Sequence, residues 1–193
     1  MEYLKKMMVL KSPLVLYRLF RVMNKNAGFT LIEVLIAMIV LAVGLLGLAG
    51  LQATSLRNNL SAYNRSQATQ MAYDLIDRMR ANVAGIATYT TGTASAKANC
   101  KNITGCSPVE MATNDLYEWT CALAGGCENN TPPIAATLPG GQGIVCLDST
   151  PNDGTSAAIA NCDGAGNTYV IKIWWDDDRS GTASRQFVTS FTL

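Results

Sequence analysis

The chain has 193 residues, with 15 lysines and arginines against 14 aspartates and glutamates, a formal charge of +1, and no histidine. Without histidine it lacks the usual general base of Ser-His and Cys-His hydrolases and the commonest metal ligand.

The first 28 residues are basic: Lys5, Lys6, Lys11, Arg18, Arg21 and Lys25 stand against Glu2 alone. That bias keeps the N-terminus cytoplasmic and sends the C-terminal part outward. Residues 7–20 are partly apolar, but Lys11, Pro13 and Arg18 break the stretch, so it is too short to span a bilayer. From Val34 to Leu51 no side chain is polar, a length that reads as a membrane-spanning helix. Glu33 sits just inside this segment, where an ionised carboxylate costs about 2.5–3.5 kcal/mol at mid-bilayer depth and less near the interface. Such a charge usually has a partner, and a free amine on Phe29 would supply one.

Past Leu51 the composition turns polar while the helical period persists. Leu56, Leu60, Tyr63, Gln67, Met71, Leu75 and Met79 recur at three- or four-residue steps and predict one apolar stripe. Asp74 and Arg78 form a favourable i,i+4 pair. One long helix is expected from about Phe29 to about Val83, closed by Gly85. Its membrane half is assigned to 29–51 and its amphipathic half to 52–85. Gly44, Gly47 and Gly50 each weaken a helix by about 1 kcal/mol relative to alanine. They read either as a meltable segment that lets the subunit leave the bilayer, or as sites of close helix packing.

Residues 86–193 are expected to form a head of one small domain. Thr88–Gly105 is rich in Thr, Ala, Gly, Ser and Asn and reads as loop. Thr113 or Asn114 would cap a short helix through Leu123, ended by Gly125 and Gly126. Thr131 to Gly141 is loop. Strands are expected at Gln142–Asp148, Thr168–Trp175 and Ser184–Leu193. In the second, Tyr169, Ile171, Ile173 and Trp175 alternate against Val170, Lys172 and Trp174. The third carries Phe187, Thr189, Phe191 and Leu193 on one face. Short turn-rich connections favour an antiparallel sheet whose one apolar face the helix stripe covers.

All six cysteines, Cys100, Cys106, Cys121, Cys127, Cys146 and Cys162, lie in the head. An even set confined to the exported part predicts up to three disulfides, with 15 possible pairings for six cysteines. Five intervening residues, twice, do not fit structural zinc spacing. Asp176-Asp177-Asp178 could offer hard oxygen ligands, but the spacing of a calcium loop is missing and a solvated hairpin turn is the simpler reading. Asp153 and Asp163, in glycine-containing loops, also read as solvated. No metal, cofactor or catalytic constellation is expected.

Gly28 followed by Phe29-Thr30-Leu31-Ile32-Glu33 and an apolar helix resembles the class III signal of type IV pilins. The resemblance implies cleavage between Gly28 and Phe29 by a prepilin peptidase that also methylates the new Phe29 amine. It implies an assembly role for Glu33. A leader of 28 residues is long for that family, and Met23 as the start would give the usual short one; residues 1–22 read as a misassigned start or a dispensable extension. Cleavage removes six basic residues and Glu2, leaving 165 residues with 9 basic and 13 acidic groups, a balance that argues against DNA wrapping and predicts no direct nucleic-acid binding. Many major pilins carry a proline where this chain has Gly50.

Four further stretches look like landmarks of the PilV group of minor type IV pilins: Met71–Arg80, Asp115–Trp119, Leu138–Gly143 and Val170–Asp176. The resemblance implies an α+β fold of lollipop type, a long helix packed on a small disulfide-bearing sheet. It implies a non-enzymatic subunit of the complex that initiates or caps the pilus, serving twitching motility, adhesion or DNA uptake. Its expected partners are the prepilin peptidase, other minor pilins, the major pilin and the inner membrane, with the head periplasmic before the subunit reaches the cell surface. A type II secretion pseudopilin and a membrane-anchored enzyme or binding protein are the alternatives.

Overall fold

The computed structural model describes residues 28–125, 127 and 136–193. The leader, apart from Gly28, lies outside the described residues, as do Gly126 and the start of the Thr131–Gly141 loop. The chain divides after Ala53 into two units.

In the first unit, the described residues lead into α1 (Leu31–Ala81). The carbonyl and hydroxyl of Thr30 both accept the Glu33 N–H, satisfying one of the donors that every helix start leaves open. Through Leu51 every side chain is exposed, and the most apolar window has a mean hydropathy of 2.8 with none of it buried. Gly44, Gly47 and Gly50 leave the helix unbroken, and a methyl group added at any of them would meet open space.

In the second unit, α1 becomes a packed helix. Asn64, Ala68, Ala72, Leu75, Ile76 and Met79 form its buried face. This corrects the expected stripe: Leu75 and Met79 belong to it, but Leu56, Leu60 and Tyr63 are exposed. A four-residue step overshoots a full helical turn by about 40°. A stripe traced mostly by such steps therefore drifts around the cylinder. The true face runs through alanines, whose small side chains let the head approach closely.

The expected closure at Gly85 is also corrected. A 3-10 turn at Val83–Gly85 leads straight into α2 (Ile86–Thr91), so Thr88–Thr91 is helix rather than loop. Gly85 has φ −100°, which any residue adopts. Glycine is needed there because a Cβ would lie 2.3 Å from the Pro108 carbonyl oxygen, which also accepts from Asn82 Nδ2 at 2.7 Å. A second 3-10 turn spans Ala98–Lys101.

The next helix, α3 (Pro108–Ala124), starts earlier than expected. Its cap is Ser107, which accepts from the Glu110 N–H while the Glu110 carboxylate accepts from Ser107 N–H. Pro108 at the first helical position costs no hydrogen bond, since that N–H would have had no partner. The helix ends at Gly125 as expected.

The sheet is three-stranded and antiparallel in the order β1 (Gln142–Leu147), β2 (Tyr169–Trp175), β3 (Arg185–Phe191). Val145 pairs with Ile171, and Phe187 with Ile173. On this face Val145, Ile171, Ile173, Trp175 and Phe191 share one core with the α1 face, Tyr89, Leu116, Trp119 and Leu123. Gly143 makes room for the indole: a Cβ there would lie 2.3 Å from the Trp119 ring. Trp119 Nε1 donates to the Met71 carbonyl at 2.9 Å, fastening α3 to α1.

The opposite face is not open to water, contrary to expectation. Val170, Lys172 and Trp174 are buried there beneath the connection from Asp148 to Thr168. That strap is held by the Cys146–Cys162 disulfide. The other two bridges are Cys100–Cys106 and Cys121–Cys127. Each cysteine thus pairs with its neighbour along the chain.

Candidate functional site

The N-terminal site is built by the start of α1. Phe29 and Glu33 line one shallow apolar groove of about 360 Å³ with Val34, Ala37, Met38 and Leu41. Four residues apart, they fall on the same side of the helix, so an amine on Phe29 and the Glu33 carboxylate would share one surface. Glu33 also suits its position as an acid in the first helical turn, where the macrodipole favours negative charge. The Thr30-Leu31-Ile32-Glu33 spacing matches a helix-start signature and could have revealed the cap from sequence alone. The next charged residue along α1 is Arg57, so the helix itself supplies no nearby cation for Glu33.

The head holds two polar clusters that sequence reasoning did not assemble. In the first, Arg78 bridges Asp74 at 3.0 Å, Asp115 at 3.2 Å and Glu118 at 3.0 Å. The expected Asp74–Arg78 pair is therefore one arm of a hub. Tyr89 donates its hydroxyl to Asp115. Burial, reinforced by the acceptor Asp115, pushes the Tyr89 pKa well above the ordinary tyrosine value. Glu118 also meets Lys101 at 3.4 Å. Burial pushes its carboxyl up, but Arg78, Asn114 and Lys101 outweigh that and hold it below the usual range.

In the second cluster, Lys172 is fully buried and its Nζ lies 2.6 Å from both Asp148 and Asp153. It also donates to the Ala160 carbonyl at 2.8 Å. The readings of Asp153 and Asp163 as solvated loop residues are corrected: Asp153 holds Lys172, and Asp163 accepts from the hydroxyl and N–H of Ser149. Cys146, Asp148 and Cys162 come within 4.8 Å of one another, but the two sulfurs are bonded to each other and the carboxylate is paired to Lys172.

The acidic turn is also more than a solvated hairpin. Asp176 is buried and accepts the N–H groups of Ser180 and Gly181 at 3.0 and 2.7 Å. Asp177 accepts from Asn64 Nδ2 at 2.9 Å and Trp175 Nε1 at 3.2 Å, which ties the β2–β3 turn to α1. These carboxylates position backbone and side chains of their own chain.

Residues 23–49 match the prokaryotic N-terminal methylation motif, and residues 50–117 match the model of type IV pilin Tt1218. No curated protein and no solved structure matches the chain. The methylation motif implies processing by a prepilin peptidase and assembly with other pilins. The apolar, outward-facing start of α1 fits a membrane anchor. The two matched segments abut, and with the α+β fold of a long helix and a small disulfide-bearing antiparallel sheet they support placing the chain in the type IV pilin family.

Proposed function

We propose that the chain is a minor pilin of the PilV kind, a structural subunit without enzymatic activity that helps initiate or cap the type IV pilus. Cleavage falls between Gly28 and Phe29, and the Phe29 amine is then methylated. During assembly this amine pairs with Glu33 of the same or a neighbouring subunit. Burying the carboxylate among apolar helices is costly without a partner and selective with one. Carrying the reading is a single observation: Phe29 and Glu33 share one surface of a helix whose next 18 residues are apolar and wholly exposed in the lone subunit.

Glu33→Ala is expected to leave membrane insertion intact while lowering incorporation into sheared pili, measured by immunoblot against the membrane fraction. Normal incorporation would defeat the pairing mechanism. A bulky replacement such as Gly28→Leu should leave an uncut precursor. N-terminal mass spectrometry of the wild type should return methylated Phe29, and an intact precursor in working pili would overturn the processing.

A further inference from the structure

A second site lies where α1 meets the β2–β3 turn. Arg57, Asn58, Leu60 and Ser61 from α1 face Asp177, Asp178, Arg179 and Arg185 across a cleft of about 640 Å³. All three guanidinium groups belong to exposed residues. Arg185 leans on Asp177 at 3.7 Å, but Asp177 is already engaged by Asn64 and Trp175. Asp178 accepts the Ser180 N–H of its own turn. Arg57 and Arg179 make no ion pair among the described residues. The cleft is thus cationic on balance, although residues 54–193 carry more acids than bases.

The position of Arg57 identifies the kind of anion. It is the first charged residue after Glu33 and stands six residues beyond Leu51, the end of the apolar run. Six helical residues rise about 9 Å, close to the thickness of one headgroup layer, roughly 5–8 Å. An arginine side chain can reach back across such a step while its stem stays on apolar surface. Guanidinium groups also match the geometry of phosphate oxygens.

Resting on the membrane-anchored reading above, we infer that the Arg57–Arg179–Arg185 cleft binds the phosphodiester headgroup of an anionic phospholipid in the outer leaflet of the inner membrane before the subunit is extracted. Such a contact would hold the head against the bilayer and set a hurdle that filament contacts must overcome.

The test is lipid retention by the full chain in neutral detergent, followed by native mass spectrometry with added phosphatidylglycerol or phosphatidylcholine. The wild type should retain phosphatidylglycerol preferentially. Each arginine near a lipid surface contributes about a fivefold effect, so Arg57→Gln should lower retention several-fold, and a triple variant with Arg179→Gln and Arg185→Gln should abolish the preference. Unchanged thermal unfolding of these surface variants would show that the head is intact; if the triple variant unfolds, Arg57→Gln alone carries the test. Inorganic phosphate in excess should fail to displace the lipid, and displacement would overturn the lipid assignment in favour of a free anion. Equal retention of both lipids by the wild type, or wild-type retention by the variants, would also overturn it. So would variants that lose copurifying pilins but keep the lipid, an outcome that points to a protein partner. The readout does not depend on pili: lipid preference without pilus incorporation would sink the pilin role and leave this site standing.

Discussion

Replacing Lys172 with methionine tests how the second face of the sheet is built. The side chain is fully buried, with one carboxylate partner, Asp148, fully buried as well, and the other, Asp153, partly exposed. Removing the ammonium leaves Asp148 as an uncompensated charge under the strap, a loss of about 3–5 kcal/mol. For a chain of this size that corresponds to a fall in Tm of about 10 °C. Trp119, Trp174 and Trp175 all lie in the head, so fluorescence-monitored urea unfolding of the detergent-solubilised chain reports on it directly. The double variant Lys172→Met with Asp148→Leu should recover most of the loss, because a buried pair exchanged for apolar groups is often neutral. A single-variant loss below about 1 kcal/mol, the range of an exposed pair, would refute the reasoning. So would a double variant no better than the single one.

The same pair sets a pH window. For Asp148, burial pushes the pKa up, but Lys172 and the Thr150 N–H pull it below the ordinary value. Its contribution is therefore complete above about pH 4 and fades as pH falls through the lowered folded value. For Lys172, burial pulls the pKa down, but Asp148 and Asp153 raise it beyond the ordinary lysine value. That contribution is complete below about pH 10 and is lost as pH rises through the raised folded value. Tyr89 adds to the alkaline limb in the same sense, since its raised pKa makes ionisation costly in the folded state. Stability of the wild type should stay level between these limits, and Lys172→Met should weaken the alkaline dependence without abolishing it.

Exchanging Cys146 and Cys162 for serine opens a closure of 16 residues and should cost about 3 kcal/mol in the same urea assay. Because the strap also carries Asp148 and Asp153, combining this change with Lys172→Met should give less than the sum of the two losses. Gly143→Val drives a side chain into the Trp119 ring and should destabilise by about 1–3 kcal/mol, with a shifted tryptophan emission maximum as its signature. Ser107→Ala removes the cap of α3 and should cost about 1 kcal/mol.

Much of the fold was legible because it rests on periodicity. Tyr169, Ile171, Ile173 and Trp175 alternate cleanly, and β2 lies within one residue of its expected bounds. The apolar run after Glu33 announces α1 without ambiguity. What was not legible depends on long-range closure. Lys172 looked like the solvent-facing member of an alternating strand, and only the strap tied down by Cys146–Cys162 turns it inward. Cysteine pairing has no local signal, so the sequential connectivity had to come from the fold. Two errors were avoidable. Ser107-Pro108-Val109-Glu110 carries both a capping box and a proline at the first helical position, stronger than the caps weighed at Thr113 and Asn114. Ala68 and Ala72 mark the buried face more truly than the larger Leu60 and Tyr63. Of the N-terminal site, the residues themselves were legible, while the placement of Phe29 and Glu33 on one surface needed coordinates.

The apolar residues that the head leaves uncovered are as informative as those it buries. Leu56, Leu60 and Tyr63 remain exposed on α1 although they lie in the same unit as the sheet. The head covers the helix from Asn64 onward, and at that point the contact becomes polar, with Asn64 fastened to Asp177. A hydrogen bond at the margin of a core fixes register without adding apolar area, so α1 is held at a defined rotation while its next apolar residues are withheld from the head. Large side chains left in water cost free energy unless another surface takes them up. For a filament subunit that surface is the helix of a neighbour. Selection for assembly explains why the stripe on α1 continues past the point where the subunit's own core stops using it.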